Sequence, residues 1–169
     1  MLSSHRTRYI MLDFDGVTHH FFPLPGEDAH NGYFMFLPNI EAVVRQCPYP
    51  VKIVITSTWR LNRTMDVLRG HFAPDIAPLV VGGTPKSAMS NKPGGRLGEI
   101  KAWIAENDPG APWVALDDTE ELFAAGQEER FTVPLVRCPD EFGATQAQQL
   151  REALDDPQAW ARQHPVYSY

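Results

Sequence analysis

Five short apolar runs, separated by prolines and turn residues, indicate that the chain folds around a β-sheet. Each run is four to six residues long and rich in Val, Ile and Leu, and polar residues hardly alternate with the apolar ones. Continuous apolar runs of this length are typical of strands that are buried on both faces of a parallel sheet. The predicted strands are residues 9–14, 51–55, 77–81, 113–116 and 132–136.

Helical periodicity lies between these runs, where apolar residues recur three and four positions apart. The apolar stripes are Ile40, Val43, Val44 and Cys47; Leu61, Met65, Leu68 and Phe72; and Leu97, Ile100, Trp103 and Ile104. Asn39 is predicted to cap the first helix, and Thr145 with Gln148 fits a capping box that opens a last helix through Leu154.

The alternation of strands and helices predicts an α/β fold, a three-layer α/β/α sandwich around a mainly parallel, Rossmann-like sheet of five strands. A length of 169 residues fits a single domain over 1–169. We expect its core to span about 9–154 and a C-terminal tail to cover 155–169.

Charge and cysteine content exclude several classes of protein. The 15 Lys and Arg residues against 21 Asp and Glu give a net charge of −6, so the chain does not bind nucleic acid by bulk charge, although a local basic patch stays open. No apolar run approaches the ~18–20 residues of a membrane span, and the N-terminus lacks the apolar segment of a secretory signal. Cys47 and Cys138 are too few for a disulfide framework. We therefore expect a cytoplasmic protein with no membrane partner.

Polar clusters follow three of the predicted strands directly. They are Asp13, Asp15 and Gly16 after the first strand, Thr56 and Ser57 after the second, and Asp117 and Asp118 after the fourth. Ligands of parallel sheets bind at the carboxyl ends of the strands, so these side chains are expected to converge. Four carboxylates at one edge would repel one another without a cation between them, and their hard oxygen ligands suit Mg²⁺ better than zinc. Because Mg²⁺ completes its coordination with phosphate oxygens, the pattern points to phosphate chemistry.

The same clusters resemble the motifs of the haloacid dehalogenase-like (HAD) superfamily of aspartate-nucleophile phosphatases. Residues 13–17 match the first motif, residues 56–57 the second, and residues 117–118 the fourth. Residues 55–60 and 113–118 further resemble the small HAD domains of RNA-repair-type and phage proteins. The likeness covers residues 9 to 154, nearly the whole chain.

The resemblance implies a role for each residue of the motifs. Asp13 is expected to be the nucleophile that forms an aspartyl-phosphate, and Asp15 to protonate the leaving oxygen and then activate water. The catalytic Thr56 hydroxyl would hold the transferring oxygens, helped by nearby backbone N–H groups. Two further sets complete the implied site: the Mg²⁺ site with Asp13, the Asp15 backbone carbonyl and Asp118, backed by Asp117, and the substrate-binding set of Thr56, Ser57, Gly16, Arg60 and Arg96.

The cation that neutralises the phosphoryl group is the loosest part of the match. Lys92 stands 26 residues before Asp118 on a Pro-Gly-Gly loop, and it is the predicted cation. Arg96, at the start of the following helix, is the second choice and suits the RNA-repair-like subgroup. Arg60 either contacts substrate or hydrogen-bonds within the protein, while His19 and His20 are expected on the flap after the first strand.

Only 40 residues separate Asp15 from Thr56, which leaves no room for a folded cap domain, so a minimal cap or none is expected. The aromatic-rich stretch in this segment is expected to cover the sheet edge, with stacking on a nucleobase as the alternative; its residues are Phe21, Phe22, Tyr33, Phe34 and Phe36. An open site suits a large phosphorylated substrate such as a nucleic-acid end, or a nucleotide or other small phosphomonoester enclosed by a homo-oligomer. The favoured function is a Mg²⁺-dependent phosphatase, a phosphoric monoester hydrolase. The alternatives are a non-catalytic phosphate-binding or regulatory module and a subunit of a nucleic-acid repair or phage complex.

Overall fold

The computed structural model describes residues 5–27 and 32–168, and its centre is one five-stranded sheet. The strands are β1 (Arg8–Leu12), β2 (Val51–Ile55), β3 (Val80–Gly83), β4 (Trp113–Asp117) and β5 (Leu135–Arg137). All neighbouring pairs are parallel, in the order β3-β2-β1-β4-β5. The central strand β1 is therefore flanked by β2 and β4, and these are the three strands whose ends carry the polar clusters.

In the described part of the chain, five α-helices cover the two faces of the sheet. They are α1 (Leu37–Gln46), α2 (Met65–Arg69), α3 (Gly95–Asn107), α4 (Ala144–Asp155) and α5 (Pro157–Gln163). Alternate residues of β1 face opposite sides: Ile10 packs in the core with α1 and α4, whereas Met11 packs in the core with α3. This arrangement confirms the predicted α/β/α sandwich with an all-parallel sheet.

Several predicted boundaries were wrong for local reasons. Helix α1 begins at Leu37, because Pro38 fits its first turn, and the side chain of Asn39 instead donates to the Phe142 carbonyl over 2.9 Å. Helix α4 begins at Ala144, and the Gln146 side chain accepts the N–H of Gly143 over 3.0 Å, so the box expected at residues 145 and 148 does not form.

Two other segments also differ from their predicted structure. The stripe over residues 61–72 forms only the short helix α2, which the Thr64 side chain caps by accepting the Val67 N–H over 3.3 Å. The start of the third predicted strand, Ala77–Leu79, is a 3₁₀ turn with a proline at its start. The expected C-terminal tail contains α5, whose Trp160 lies in the core.

The described connection between β1 and α1 consists of turns and bends, with an isolated bridge between Asp15 and His19. It lies against another loop of the domain, because the Phe21 N–H donates to the Asp140 carboxylate over 2.5 Å. It also folds back on itself, because the Phe36 N–H donates to the Thr18 carbonyl over 2.8 Å. Within the described residues, this connection contains no folded cap over the strand ends.

Candidate active site

Three carboxylates meet where β1 and β4 end. Asp13 follows β1, and its N–H donates to the Leu116 carbonyl over 3.0 Å, which continues the pairing of β1 with β4. Asp117 is the last residue of β4, and Asp118 follows it. One oxygen from each of these three side chains lies within 4.8 Å of the other two. The structure thus brings together the acidic residues of the predicted first and fourth motifs.

Arg96 is the cation of this cluster. It lies in the first turn of α3, and its Nη1 is 3.1 Å from Asp13 Oδ2 and hydrogen-bonds to Asp117 Oδ2. Gly95 permits the preceding loop to pack against the start of α3, because a Cβ at that position would lie 1.8 Å from the Met89 carbonyl oxygen. Lys92, on the loop before α3, is exposed and makes no ion pair in the described part of the chain. The structure therefore places the second-choice Arg96 against Asp13, and it leaves the predicted Lys92 at the surface.

Asp117 and Asp118 have different surroundings. Asp117 is fully buried, with Oδ1 accepting the Thr119 N–H over 2.9 Å and Oδ2 accepting from Arg96. Asp118 is partly exposed, and its Oδ1 accepts from the Thr119 hydroxyl over 3.0 Å. Because hydrogen bonds already engage both Asp117 oxygens, Asp118 has more freedom to bind an ion.

Gly16 is required by the position of Asp118. Its φ of +73° lies in the left-handed region that favours glycine, and a Cβ there would lie 2.5 Å from Asp118 Oδ2. The chain therefore turns tightly after Asp15 while keeping Asp118 against the backbone. The described contacts give Gly16 a structural role at the site.

The electrostatics of the cluster favour a bound cation. Burial raises the pKa of Asp13, of Asp117 and of Asp118, because the charged form of each carboxyl is poorly solvated. Arg96 opposes this effect but supplies one positive charge against three carboxylates. Two negative charges remain when all three are ionised, and oxygen donors are the ligands that hard divalent cations prefer. The donor set thus fits a divalent metal ion.

The Asp15 side chain is hydrogen-bonded to two rings. Its Oδ1 accepts from His19 Nε2 and its Oδ2 from Trp59 Nε1, each over 3.1 Å. His19 is buried, and the Phe34 N–H donates to its Nδ1 over 3.4 Å, which leaves Nε2 as the donor to Asp15. These contacts, that from His19 foremost, lower the pKa of Asp15 despite its partial burial.

The contact of His19 with Asp15 was not predicted, because the sequence gives no reason to choose His19 rather than His20 as the partner of Asp15. His20 contacts a different loop, with its Nδ1 2.8 Å from the Asp140 carbonyl oxygen. The fold alone distinguishes the two histidines: one supports Asp15 and the other attaches the flap to the loop after β5.

Three buried polar atoms at the strand ends have no hydrogen-bond partner among the described residues: Thr56 Oγ1, Thr84 Oγ1 and Arg96 Nε. The two threonines follow adjacent strands, since Ile55 pairs with Gly83 and the Thr84 N–H donates to the Ile55 carbonyl over 3.0 Å. Buried donors without partners are costly, so these atoms suit an oxygen-rich ligand.

The strand register indicates that both threonines face α3. Val54, two residues before Thr56, packs in the core with α3. Gly82, two residues before Thr84, has the Trp103 side chain of α3 3.6 Å from where its Cβ would lie. Because strand side chains alternate, each threonine shares the face of the residue two positions before it. Sequence analysis missed Thr84, and its one signal was its position directly after the third strand.

Arg60 and Ser57 serve the protein framework. The Arg60 guanidinium donates to the carbonyls of Thr84 over 2.7 Å and Thr56 over 2.6 Å, and to Glu99 Oε2 over 2.9 Å. Ser57 is buried, and its Oγ accepts the Trp59 N–H over 3.4 Å. Of the two roles left open for Arg60, these contacts support the structural one: it joins the ends of β2 and β3 to α3.

The fold and the acidic strand ends define the class: a small HAD-like domain. The sequence matches, over residues 9–149, the family described as the HAD domain in Swiss Army Knife RNA repair proteins, and the chain belongs to that family. No curated protein and no solved structure matches the chain significantly. Among the described residues, no helix has the length and apolar character needed to cross a membrane.

Proposed function

We propose that the chain is a Mg²⁺-dependent phosphatase that uses Asp13 as nucleophile and forms an aspartyl-phosphate. One observation carries the proposal: Asp13 stands directly after the central strand, where Arg96 pairs with it and the carboxylates of Asp117 and Asp118 lie close by. Membership of a HAD family, whose proteins are generally hydrolases, supports the same reaction class.

Two chemical steps follow from this arrangement. In the first, an Asp13 oxygen bonds to phosphorus while the bond from phosphorus to the leaving oxygen breaks, and Asp15 gives that oxygen its proton. In the second, water attacks the phosphorus, the bond to Asp13 breaks, and Asp15 takes a proton from the water. The hydrogen bonds from His19 and Trp59 favour ionised Asp15, which is the form that the second step requires. The proton that Asp15 takes from the water in that step is the one that it gives to the leaving oxygen in the next first step.

The surroundings of Asp13 bind and neutralise the phosphoryl group. Arg96 faces Asp13, and the unpartnered hydroxyls of Thr56 and Thr84 are donors for phosphoryl oxygens. Asp13, Asp118 and the Asp15 backbone carbonyl would hold Mg²⁺, and Asp117 would hold Arg96 in place. Bound Mg²⁺ supplies positive charge to the phosphoryl oxygens.

The proposed substrate is a phosphorylated nucleic-acid end. The family takes its description from RNA repair proteins, and the described connection after β1 leaves the strand ends without a folded cap. A long polymer end can reach such a site, whereas enclosed sites select small molecules.

The test is a phosphatase assay with 3′- and 5′-phosphorylated oligonucleotides, nucleotides and sugar phosphates, in Mg²⁺ or in EDTA. We expect oligonucleotide ends to be hydrolysed in Mg²⁺ alone, and acid quenching to trap a phosphoenzyme.

Asp13→Asn should abolish both signals, because an amide does not attack phosphorus. It should keep or raise the thermal stability of the metal-free protein, because it removes charge from a crowded acidic site. Undiminished turnover by Asp13→Asn would overturn the covalent mechanism.

A further inference from the structure

The edge of the site beside Asp15 presents a ring and a guanidinium at its surface. Arg63 is exposed, and its guanidinium carbon lies 4.0 Å from the centre of the Trp59 ring. Tyr33 is 43% exposed, and its ring centre lies 5.5 Å from that of Trp59. We refer to Tyr33 and Arg63, supported by Trp59, as the aromatic edge.

The aromatic edge is attached directly to Asp15. The Trp59 indole donates to Asp15, and the Tyr33 ring centre lies 4.8 Å from that of His19, whose Nε2 donates to the same carboxyl. One ring therefore lies between each exposed side chain and Asp15: His19 for Tyr33, and Trp59 for Arg63.

This position determines what can lie on the aromatic edge during the proposed reaction, and the inference here rests on that proposed function. Asp15 serves the leaving oxygen, so the group attached to that oxygen must pass Asp15 and its neighbouring rings. For a phosphorylated nucleic-acid end, that group is the terminal nucleoside. The Arg63 guanidinium lies over the Trp59 ring, and the Arg63 side chain is exposed to solvent.

We propose that Tyr33 and Arg63 bind the nucleobase of the nucleotide that carries the phosphate. Nucleobases stack on aromatic rings and on guanidinium planes, and such stacking tolerates every base. The chain as a whole has a net charge of −6, so bulk electrostatic attraction does not hold a polyanion. Affinity for the nucleic-acid end comes instead from local contacts, and the aromatic edge supplies them beside the reacting phosphate.

The test compares two phosphorylated oligonucleotides that differ only at the terminal nucleotide, which carries a base in one and a tetrahydrofuran abasic analogue in the other. The readout is the ratio of kcat/KM for the base-containing substrate to that for the abasic one. Stacking of one base predicts a wild-type ratio of about 5 to 150, expressed mainly in KM. Charge effects act equally on both substrates and cancel in the ratio.

Matched variants assign the effect to the two side chains. Tyr33→Leu removes the ring, and Arg63→Lys keeps the charge but removes the planar face, so each should lower the ratio several-fold. Tyr33→Phe keeps the ring and should keep the wild-type ratio. Tyr167→Leu and Arg162→Lys change exposed residues near the C-terminus and should leave the ratio unchanged.

Failure of this inference is distinguishable from failure of the proposed function. Hydrolysis of both oligonucleotides with a ratio near 1, or an unchanged ratio in Tyr33→Leu and Arg63→Lys, overturns the inference and leaves the phosphatase intact. Absence of hydrolysis overturns the phosphatase. In that case, fluorescence anisotropy measures the Kd of the same two labelled oligonucleotides for the wild type and both variants. The ratio of the Kd for the abasic oligonucleotide to that for the base-containing one then decides the inference.

Discussion

Arg96 lies between two carboxylates, 3.1 Å from Asp13 and hydrogen-bonded to Asp117, while Lys92 is exposed. A cation within about 4 Å of both nucleophile and phosphoryl group contributes several kcal/mol where water is partly excluded. We expect Arg96→Ala to lower kcat/KM by orders of magnitude and Lys92→Ala to leave it near the wild-type value. Steady-state kinetics on one phosphorylated substrate measures both.

A folding defect could imitate the loss in Arg96→Ala, because the change leaves Asp117 buried without its cation. Arg96→Lys keeps the charge and separates the two effects, and each variant's melting temperature is recorded beside its kinetics. An inactive Lys92→Ala variant together with an active, folded Arg96→Ala variant would show that Lys92 neutralises the phosphoryl group.

Asp117 and Asp118, at the end of β4, are also expected to have different roles. Both oxygens of Asp117 accept hydrogen bonds, whereas Asp118 is partly exposed and bonds to the Thr119 hydroxyl. We expect Asp118→Asn to weaken Mg²⁺ affinity more than Asp117→Asn, because loss of a direct ligand exceeds the ~10–100-fold effect of losing a residue that orients ligands. Calorimetric titration of Mg²⁺ into both variants is the measurement, and the opposite order would reverse the assignment.

At the scale of the elements, Arg60 and Glu99 connect the two halves of the site. Their ion pair spans 2.9 Å, both side chains are buried, and Arg60 also binds the carbonyls at the ends of β2 and β3. Breaking a buried pair by removing one partner costs about 3–5 kcal/mol. We expect Arg60→Met to lower the free energy of unfolding by that amount, measured by urea denaturation.

The double variant Arg60→Met with Glu99→Leu is the control for this pair. It removes both charges, so it should recover part of the lost stability, because no buried carboxylate is left without its cation. If the double variant loses as much stability as Arg60→Met and Glu99→Leu lose together when each is made alone, the ion pair itself contributes nothing.

The sequence predicted strand positions well where apolar runs were continuous. Residues 51–55 were predicted as a strand and form β2, and the polar residues directly after β1, β2 and β4 lie at one edge. Such runs are local signals, and the parallel order follows from the helices between them. The likeness to small HAD domains of RNA-repair-type proteins was also confirmed. Its motifs were readable from the sequence because they stand at the ends of these continuous strands.

The contacts that depend on loop conformation could not be predicted. The choice of Arg96 over Lys92 follows from how the chain turns through Gly94, whose φ is +72°, into α3. His19 reaches Asp15 because the flap folds back on itself, and its neighbour His20 reaches another loop. The sequence is compatible with either outcome in both cases, so only the fold discriminates.

At the scale of the whole molecule, the domain extends beyond the range that matches the family. That range ends at residue 149, yet α5 begins at Pro157 and places Trp160 in the core. The Trp160 indole donates to the Leu135 carbonyl at the start of β5 over 2.8 Å. A bridge between Ala125 and Ser168 brings Ser168 against the domain as well. The C-terminal segment therefore folds with the sheet as part of one core.

Trp160 tests this cooperativity. Removing a buried aromatic side chain costs about 3–5 kcal/mol, so Trp160→Ala should lower the free energy of unfolding by that amount. Trp160→Phe keeps most of the packing but leaves the buried Leu135 carbonyl without its donor, a loss of about 1–3 kcal/mol. Guanidinium denaturation followed by circular dichroism measures both, and the transition should stay single, because α5 and the sheet share one core. A Trp160→Ala protein with wild-type stability would mean that α5 docks on a domain that is already complete without it.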